Sequence, residues 1–236
     1  MEHALSHPPS GGEQKLAIGD LPRHRHDAAY AALVLEGGYL EVGDTGRWRV
    51  EAGDVVAHRG FEAHANGVPR PGARVLNIAL PPSAALPPVF RVADPDALIR
   101  AARRGDQGAV HALLQPQQVR TPLMLDWPDL LAAALRRAPV RIGAWAAAMR
   151  LDPATVSRGF RGAFGASPAG YRADLQTQDA LRRIVGGAEP LAQVAQDAGF
   201  ADQAHMSRSV RRLTGRPPSH WRRVKSVQDR RAHAAL

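Results

Sequence analysis

The sequence predicts two domains, an N-terminal all-β domain and a C-terminal all-α domain with two helix-turn-helix units, and three observations carry that prediction. The chain has 236 residues, enough for two ordinary domains of roughly 100 to 150 residues each. Between Tyr30 and Leu80 short apolar or alternating runs are separated by turn residues, whereas from Asp126 onward the apolar residues recur at helical spacing. The charge divides at the same place. Residues 1 to 125 carry 13 Lys+Arg and 13 Asp+Glu, and residues 126 to 236 carry 18 and 9, so the whole formal charge of +9 lies in the C-terminal 111 residues. A neutral module joined to a polyanion-binding one has this asymmetry. An inert basic surface has it too, so the residue pattern must decide.

Composition narrows the class. Hydrophobic residues at 44% and charged residues at 22% describe a chain that can bury a core. No apolar run approaches the ~20 residues that span a bilayer, and the first thirty or so residues lack a basic cluster followed by an apolar stretch. The absence of cysteine excludes disulfides, thiolate metal sites and cysteine nucleophiles. The expectation is a cytoplasmic protein with no membrane partner.

In the N-terminal half, residues 1 to 20 read as a flexible arm. Strands are expected at Tyr30 to Leu35, Tyr39 to Val42, Arg47 to Val50, Val55 to Ala57 and Val75 to Leu80, with Gly37-Gly38, Gly43 to Gly46 and Ala52 to Asp54 as turns. Pro81-Pro82 and Pro87-Pro88 mark the edge of this unit, which occupies residues 21–92. Asp94-Pro95 then opens a short helix through Leu98 and Ala102, and Asp106 caps a second one carrying Val110, Leu113 and Leu114. Both are too short to stand alone and must pack on the β unit or on a second copy. Residues 93–125 are these helices plus a linker, with dimerisation as their candidate role.

Residues 126–225 form the helical domain and 226–236 a tail. Two segments share one grammar, an Ala-rich helix, a short break, then a capped helix loaded with Arg and Ser. The first runs Ile142 to Met149 and Pro153 to Phe164, the second Leu191 to Ala198 and Gln203 to Leu213, with Asp152 and Asp202 as caps. Ser167-Pro168 opens a connecting helix that ends at Gly186-Gly187. Val156, Phe160 and Phe164 repeat every fourth residue and face inward, turning Ala154, Thr155, Ser157, Arg158 and Arg161 outward. Met206, Val210 and Leu213 do the same for Gln203, Ala204, His205, Ser207 and Arg208. Exposed helix starts with Ser, Thr, Gln and Arg suit phosphates and base edges in a major groove, although any one of these side chains also fits a plain solvated face.

These residues resemble the AraC/XylS transcription regulators over about residues 126 to 225. The stretch Gly199-Phe200-Ala201-Asp202-Gln203, then Ser207-Arg208, Gly215 and Pro218, is similar to the family signature, and Phe160, Gly165, Ser167-Pro168 and Tyr171 fit the segment after the first unit. The resemblance implies two units joined by a long helix, DNA contacts on the outward residues just named other than Arg161, which its outward position adds as a tenth, and promoter DNA as partner. RNA polymerase and a second copy of the chain are further partners in keeping with it. The chain departs from the pattern at Gly159 and Gly162, each costing up to ~1 kcal/mol in a helix, which predicts a first recognition helix ordered only on DNA.

In the β half, His24-Arg25-His26, Gly53-Asp54, His58 and His64 resemble the cupin barrel, a common sensor module of such regulators. The resemblance implies a small-molecule effector pocket, here assigned to His24, His26, Tyr30, Trp48 and His64, with Tyr39 as a further aromatic. His24, His26 and His64 could hold a divalent metal. The carboxylate that metal-binding cupins place four or five positions after the His pair is absent, since Tyr30 and Ala31 stand there, and a metal-free pocket needing no cofactor is the other reading. His58 has a weaker case. No catalytic triad or carboxylate pair stands out. The expectation is an effector-responsive regulator and not an enzyme, the alternative being a metal-dependent cupin enzyme such as a dioxygenase or isomerase with a basic helical appendage.

Overall fold

The computed structural model describes residues 5–6 and 12–223. In chain order its elements are β1 (Leu5–Ser6), β2 (Gly12–Leu16), β3 (Gly19–His26), β4 (Tyr30–Gly43), β5 (Gly46–Glu51), β6 (Asp54–His58), β7 (Ala63–Val68), β8 (Ala73–Ala79), β9 (Val89–Arg91), α1 (Pro95–Arg103), α2 (Gln107–Leu113), β10 (Gln118–Val119), α3 (Trp127–Arg137), α4 (Ile142–Ala148), α5 (Pro153–Phe164), α6 (Pro168–Gly186), α7 (Leu191–Asp197) and α8 (Gln203–Thr214). The two-class prediction holds: a largely antiparallel set of strands, β1 alone among the described residues pairing in parallel, makes up the first part, and after the short β10 the chain is helical.

The strand β4 organises the β unit. Its first half pairs with β6 and β8, and its second half pairs with β5 and β7. The Gly37-Gly38 expected to separate two strands is instead a bend within one. Gly37 sits at φ +69°, and a Cβ there would lie 2.1 Å from the Gly72 carbonyl oxygen, so only glycine permits this close approach. Side chains alternate across β4. Ala31 and Leu33 join Val55, Leu76 and Phe90 on one face, where Leu98 and Ala101 of α1 and Val110 of α2 complete a buried cluster. The short helices therefore pack on the β unit. Tyr30, Ala32 and Val34 face the other way, among Trp48, Val50, Val56 and Val75.

Three expectations change at the borders of this unit. The segment read as a flexible arm contains β2, paired along its length with β8, and β3 begins at Gly19; residues 1–4 and 7–11 of that arm, and the 226–236 tail, lie outside the described residues. After Pro87-Pro88 the chain returns to the sheet as β9. The linker returns too, because β10 pairs with β9 and Arg120 reaches back to Asp54. Asp54 is fully buried and holds both Arg91 and Arg120, at 2.9 and 2.8 Å.

The chain divides into two compact units, 1–168 and 169–236, so α3, α4 and α5 belong with the β strands. The reason is a set of arginine joints. Arg47 on β5 pairs with Asp126 at 2.6 Å and with buried Asp129 at 2.8 Å, and its guanidinium lies over the Phe164 ring. Buried Arg23 on β3 pairs with Asp44, and its Nη1 donates to the Phe164 carbonyl at 3.4 Å. The second unit begins within α6 and holds α7 and α8.

Candidate nucleic-acid interface and histidine cavity

The helices α5 and α8, the second helix of each predicted unit, share their construction. Asp152 accepts from the Ala154 and Thr155 amides, and Asp202 from the His205 amide, so each helix starts on a carboxylate cap. After twelve helical residues each stops on a left-handed glycine, Gly165 at φ +67° and Gly215 at φ +71°. Ser157 and Ser207, Arg158 and Arg208, and Arg161 and Arg211 occupy corresponding positions in the two helices. Burial follows the predicted stripe in α5, where Val156, Phe160 and Phe164 are buried. In α8 it follows Met206, Ser209, Val210 and Thr214, while Leu213 is only partly buried, because Thr214 turns inward to bond Val210 and Trp221.

All ten predicted contact residues lie at the surface. Ala154, Thr155, Arg158, Arg161, Gln203, Ala204, His205 and Arg208 are exposed, and Ser157 and Ser207 are partly so. Each helix therefore brings its own five to one accessible start. Arg211, exposed and corresponding to Arg161, is a candidate that sequence reasoning missed; aligning the two units by their caps would have shown it. The His205 ring meets Phe200 edge-on at 5.2 Å, which gives it a packing role as well. Arg182 and Arg183 on α6, by contrast, pair with Asp179 at 2.8 and 2.9 Å.

The predicted disorder of the first recognition helix is not what the structure shows: α5 is continuous through Gly159 and Gly162. Gly159 has a steric reason, since a Cβ there would lie 2.5 Å from the Trp127 ring of α3, whereas Gly162 faces open space.

Residues 145–224 match the family model of the helix-turn-helix domain. This helix-turn-helix domain runs from α4 to the end of the described residues. No curated protein matches the chain. Among solved structures, a transcriptional regulator from Chromobacterium violaceum with an AraC-type DNA-binding domain is 17% identical, over 40% of this chain and 88% of that one, with TM-score 0.38. The C-terminal domain of AraT, a response regulator from Geobacillus stearothermophilus, is 16% identical over 41% and 80%, with TM-score 0.36. ToxT from Vibrio cholerae O395 is 9% identical over 90% and 96%, with TM-score 0.41. Likenesses this distant carry no functional conclusion.

The β unit holds a cavity of about 470 Å³ lined by His24, His26, Tyr30, Tyr39, His58 and His64 among others, within the range of small-molecule pockets. Register explains the cluster. His24 stands directly across from His64, and Tyr30 directly across from His58. The His24 and His64 rings lie 4.2 Å apart, His58 and His64 also 4.2 Å, and Tyr30 stacks on His58 at 4.6 Å. Four of the five predicted pocket residues are thus brought together. Trp48 is not: it is buried in the core, and its indole N–H donates to Thr45 at 3.2 Å. Its place on β5 points it among apolar neighbours, as a strand aromatic most often does.

Two groups of donor atoms stand within 4.8 Å of one another, His24 with His26 and His64, and Glu41 with His58 and His64. A buried carboxylate is instead present farther along β4, two strands from the His pair, where Glu41 lies across from Asn66 of β7 and takes its amide hydrogen bond. Burial, reinforced by the neighbouring His26 and His24, brings His58 down to about 3. Burial, with His58 beside it, also holds His64 well below the usual imidazole value. Both rings are neutral at pH 7, the form that binds metals. Burial, with the charge of Glu62, raises Glu41 well above the carboxylate range. Among the described residues no helix is long and apolar enough to cross a membrane.

Proposed function

We propose that the chain is a sequence-specific DNA-binding transcription regulator, in which α5 and α8 each place an exposed first turn in the major groove of promoter DNA, in successive grooves, while a cupin-like β unit senses a small-molecule effector. The observation that carries this reading is the pair of capped helix starts bearing exposed Arg158 and Arg208 at corresponding positions. A guanidinium at such a start can bind guanine bidentately or neutralise phosphate. In this reading the protein acts in the cytoplasm, with RNA polymerase and a second copy of the chain as candidate partners.

A route from effector to DNA is supported within the first unit. On β3, His24 lines the cavity, while its neighbour Arg23 pairs with Asp44 and holds the carbonyl at the end of α5. An effector that favours one position of β3 thereby favours one position of α5, and it regulates only to the extent that it binds the two positions unequally.

The test is DNA affinity as a function of salt, measured on sites selected from random sequence. Affinity falls steeply with rising salt, and Arg208→Ala costs about 1 to 3 kcal/mol at one base position. A flat salt response contradicts the proposal.

A further inference from the structure

We propose that Glu41, His58 and His64 bind one divalent transition-metal ion of the zinc class at the wall of the histidine cavity. This inference stands apart from the DNA-binding reading.

Three observations converge. First, the donor atoms of these residues are all buried and all within 4.8 Å of one another. Second, Nδ1 of His58 and Nδ1 of His64 are buried without a hydrogen-bond partner, which is unfavourable for polar groups removed from water. Third, Asn66 donates to Oε2 of Glu41, which leaves Oε1 facing Nδ1 of His58 at 3.9 Å. A cation there takes the place of the proton on a carboxyl only 2% exposed and provides a partner for the orphaned imidazole nitrogens.

The alternative set of His24, His26 and His64 leaves both Nδ1 of His58 and the carboxylate of Glu41 unanswered. His24 is also the least buried of the five residues, with its Nδ1 engaged by the Pro22 carbonyl at 2.9 Å. Two imidazoles and a carboxylate form an open donor set, leaving a coordination position for water or an oxygen-donor ligand. Nitrogen and oxygen donors without thiolate suit zinc, cobalt or nickel better than cuprous ion. Tetrahedral zinc places its ligand atoms about 3.3 Å apart, so Glu41 and His58 close by roughly half an ångström on binding.

The experiment uses the full chain, stripped with chelator and titrated with Zn²⁺ or Co²⁺. One equivalent binds after dialysis and raises the thermal midpoint, and Glu41→Gln and His58→Gln each lower the affinity at least tenfold. X-ray absorption on the zinc-loaded wild-type protein, which needs no variant to fold, finds two imidazoles and an oxygen ligand. A spectrum with three imidazoles overturns the proposal. So does the absence of stoichiometric metal, or binding that survives Glu41→Gln but is abolished by His24→Ala.

Discussion

At the scale of single residues, Gly159 and Gly162 look alike in sequence and differ in cause. Trp127 occupies the space where a Cβ on Gly159 would sit, whereas nothing lies within 4 Å of that position on Gly162. Gly159→Ala is therefore expected to cost about 1 to 3 kcal/mol through overpacking, and Gly162→Ala to gain about 0.5 to 1 kcal/mol through helix propensity. Thermal unfolding of the two variants checks both signs. Glu62 supplies a pH prediction. Burial, with Asp44 nearby, pushes its carboxyl up to about 8 from 4.5. Its stabilising contribution is complete below pH 4.5 and is lost as pH rises through 8, because the unfolded chain has already released the proton. Buried His58 and His64 oppose this on the acid side, since the unfolded chain takes up their protons below about pH 6.5. Above about pH 7 the carboxyls act alone, and stability falls by up to about 1.4 kcal/mol per pH unit for each proton involved. Glu62→Gln is expected to flatten that slope in denaturant titrations at pH 7 and 8, and an unchanged slope would contradict the assignment. None of this was legible in the sequence, since Gly159 differs from Gly162 only through Trp127, and Glu62 owes its shift to burial and to Asp44, all of which only the fold brings about.

At the scale of elements, periodicity was a good guide wherever one face of a helix is buried. It located α5 and α8, their caps and their outward arginines, because Val156, Phe160 and Phe164 mark the inward side directly. It failed for β2, whose polar Glu13, Gln14 and Lys15 show no alternation and whose place is set by pairing with β8. It failed again at β4, where two predicted strands are one, and at Glu41, which reaches the cavity histidines only through cross-strand register. Arginine joints are equally invisible to periodicity. Arg47 spans from β5 to Asp129 of α3, 82 positions along the chain. Arg47→Ala leaves that carboxylate buried without its partner and is expected to cost about 3 to 5 kcal/mol. Asp129→Asn in the same background should recover much of the loss, measurable as a double-mutant cycle.

At the scale of the molecule, the sequence divided at residue 126 by charge, and the structure divides at residue 168 by packing. The two divisions describe different things. Charge marks the part proposed to meet DNA, while packing marks the two compact units, and α5 belongs both to the basic part and to the first unit. That overlap gives the β unit a physical hold on α5 through Arg23 and Arg47. Breaking the Arg23 contact by Arg23→Ala is expected to change DNA affinity even though Arg23 lies outside the recognition helices, and a fluorescence titration against a selected site would register it. The central claim is that the exposed starts of α5 and α8 both read DNA. Its most direct measurement is the affinity of Arg158→Ala, Arg208→Ala and the double variant for a selected site and for its half-sites. The account predicts a loss for each single variant, confined to a different half-site and accompanied by a shallower salt dependence. Equal affinity of all three variants and the wild-type protein, at every salt concentration, would contradict it.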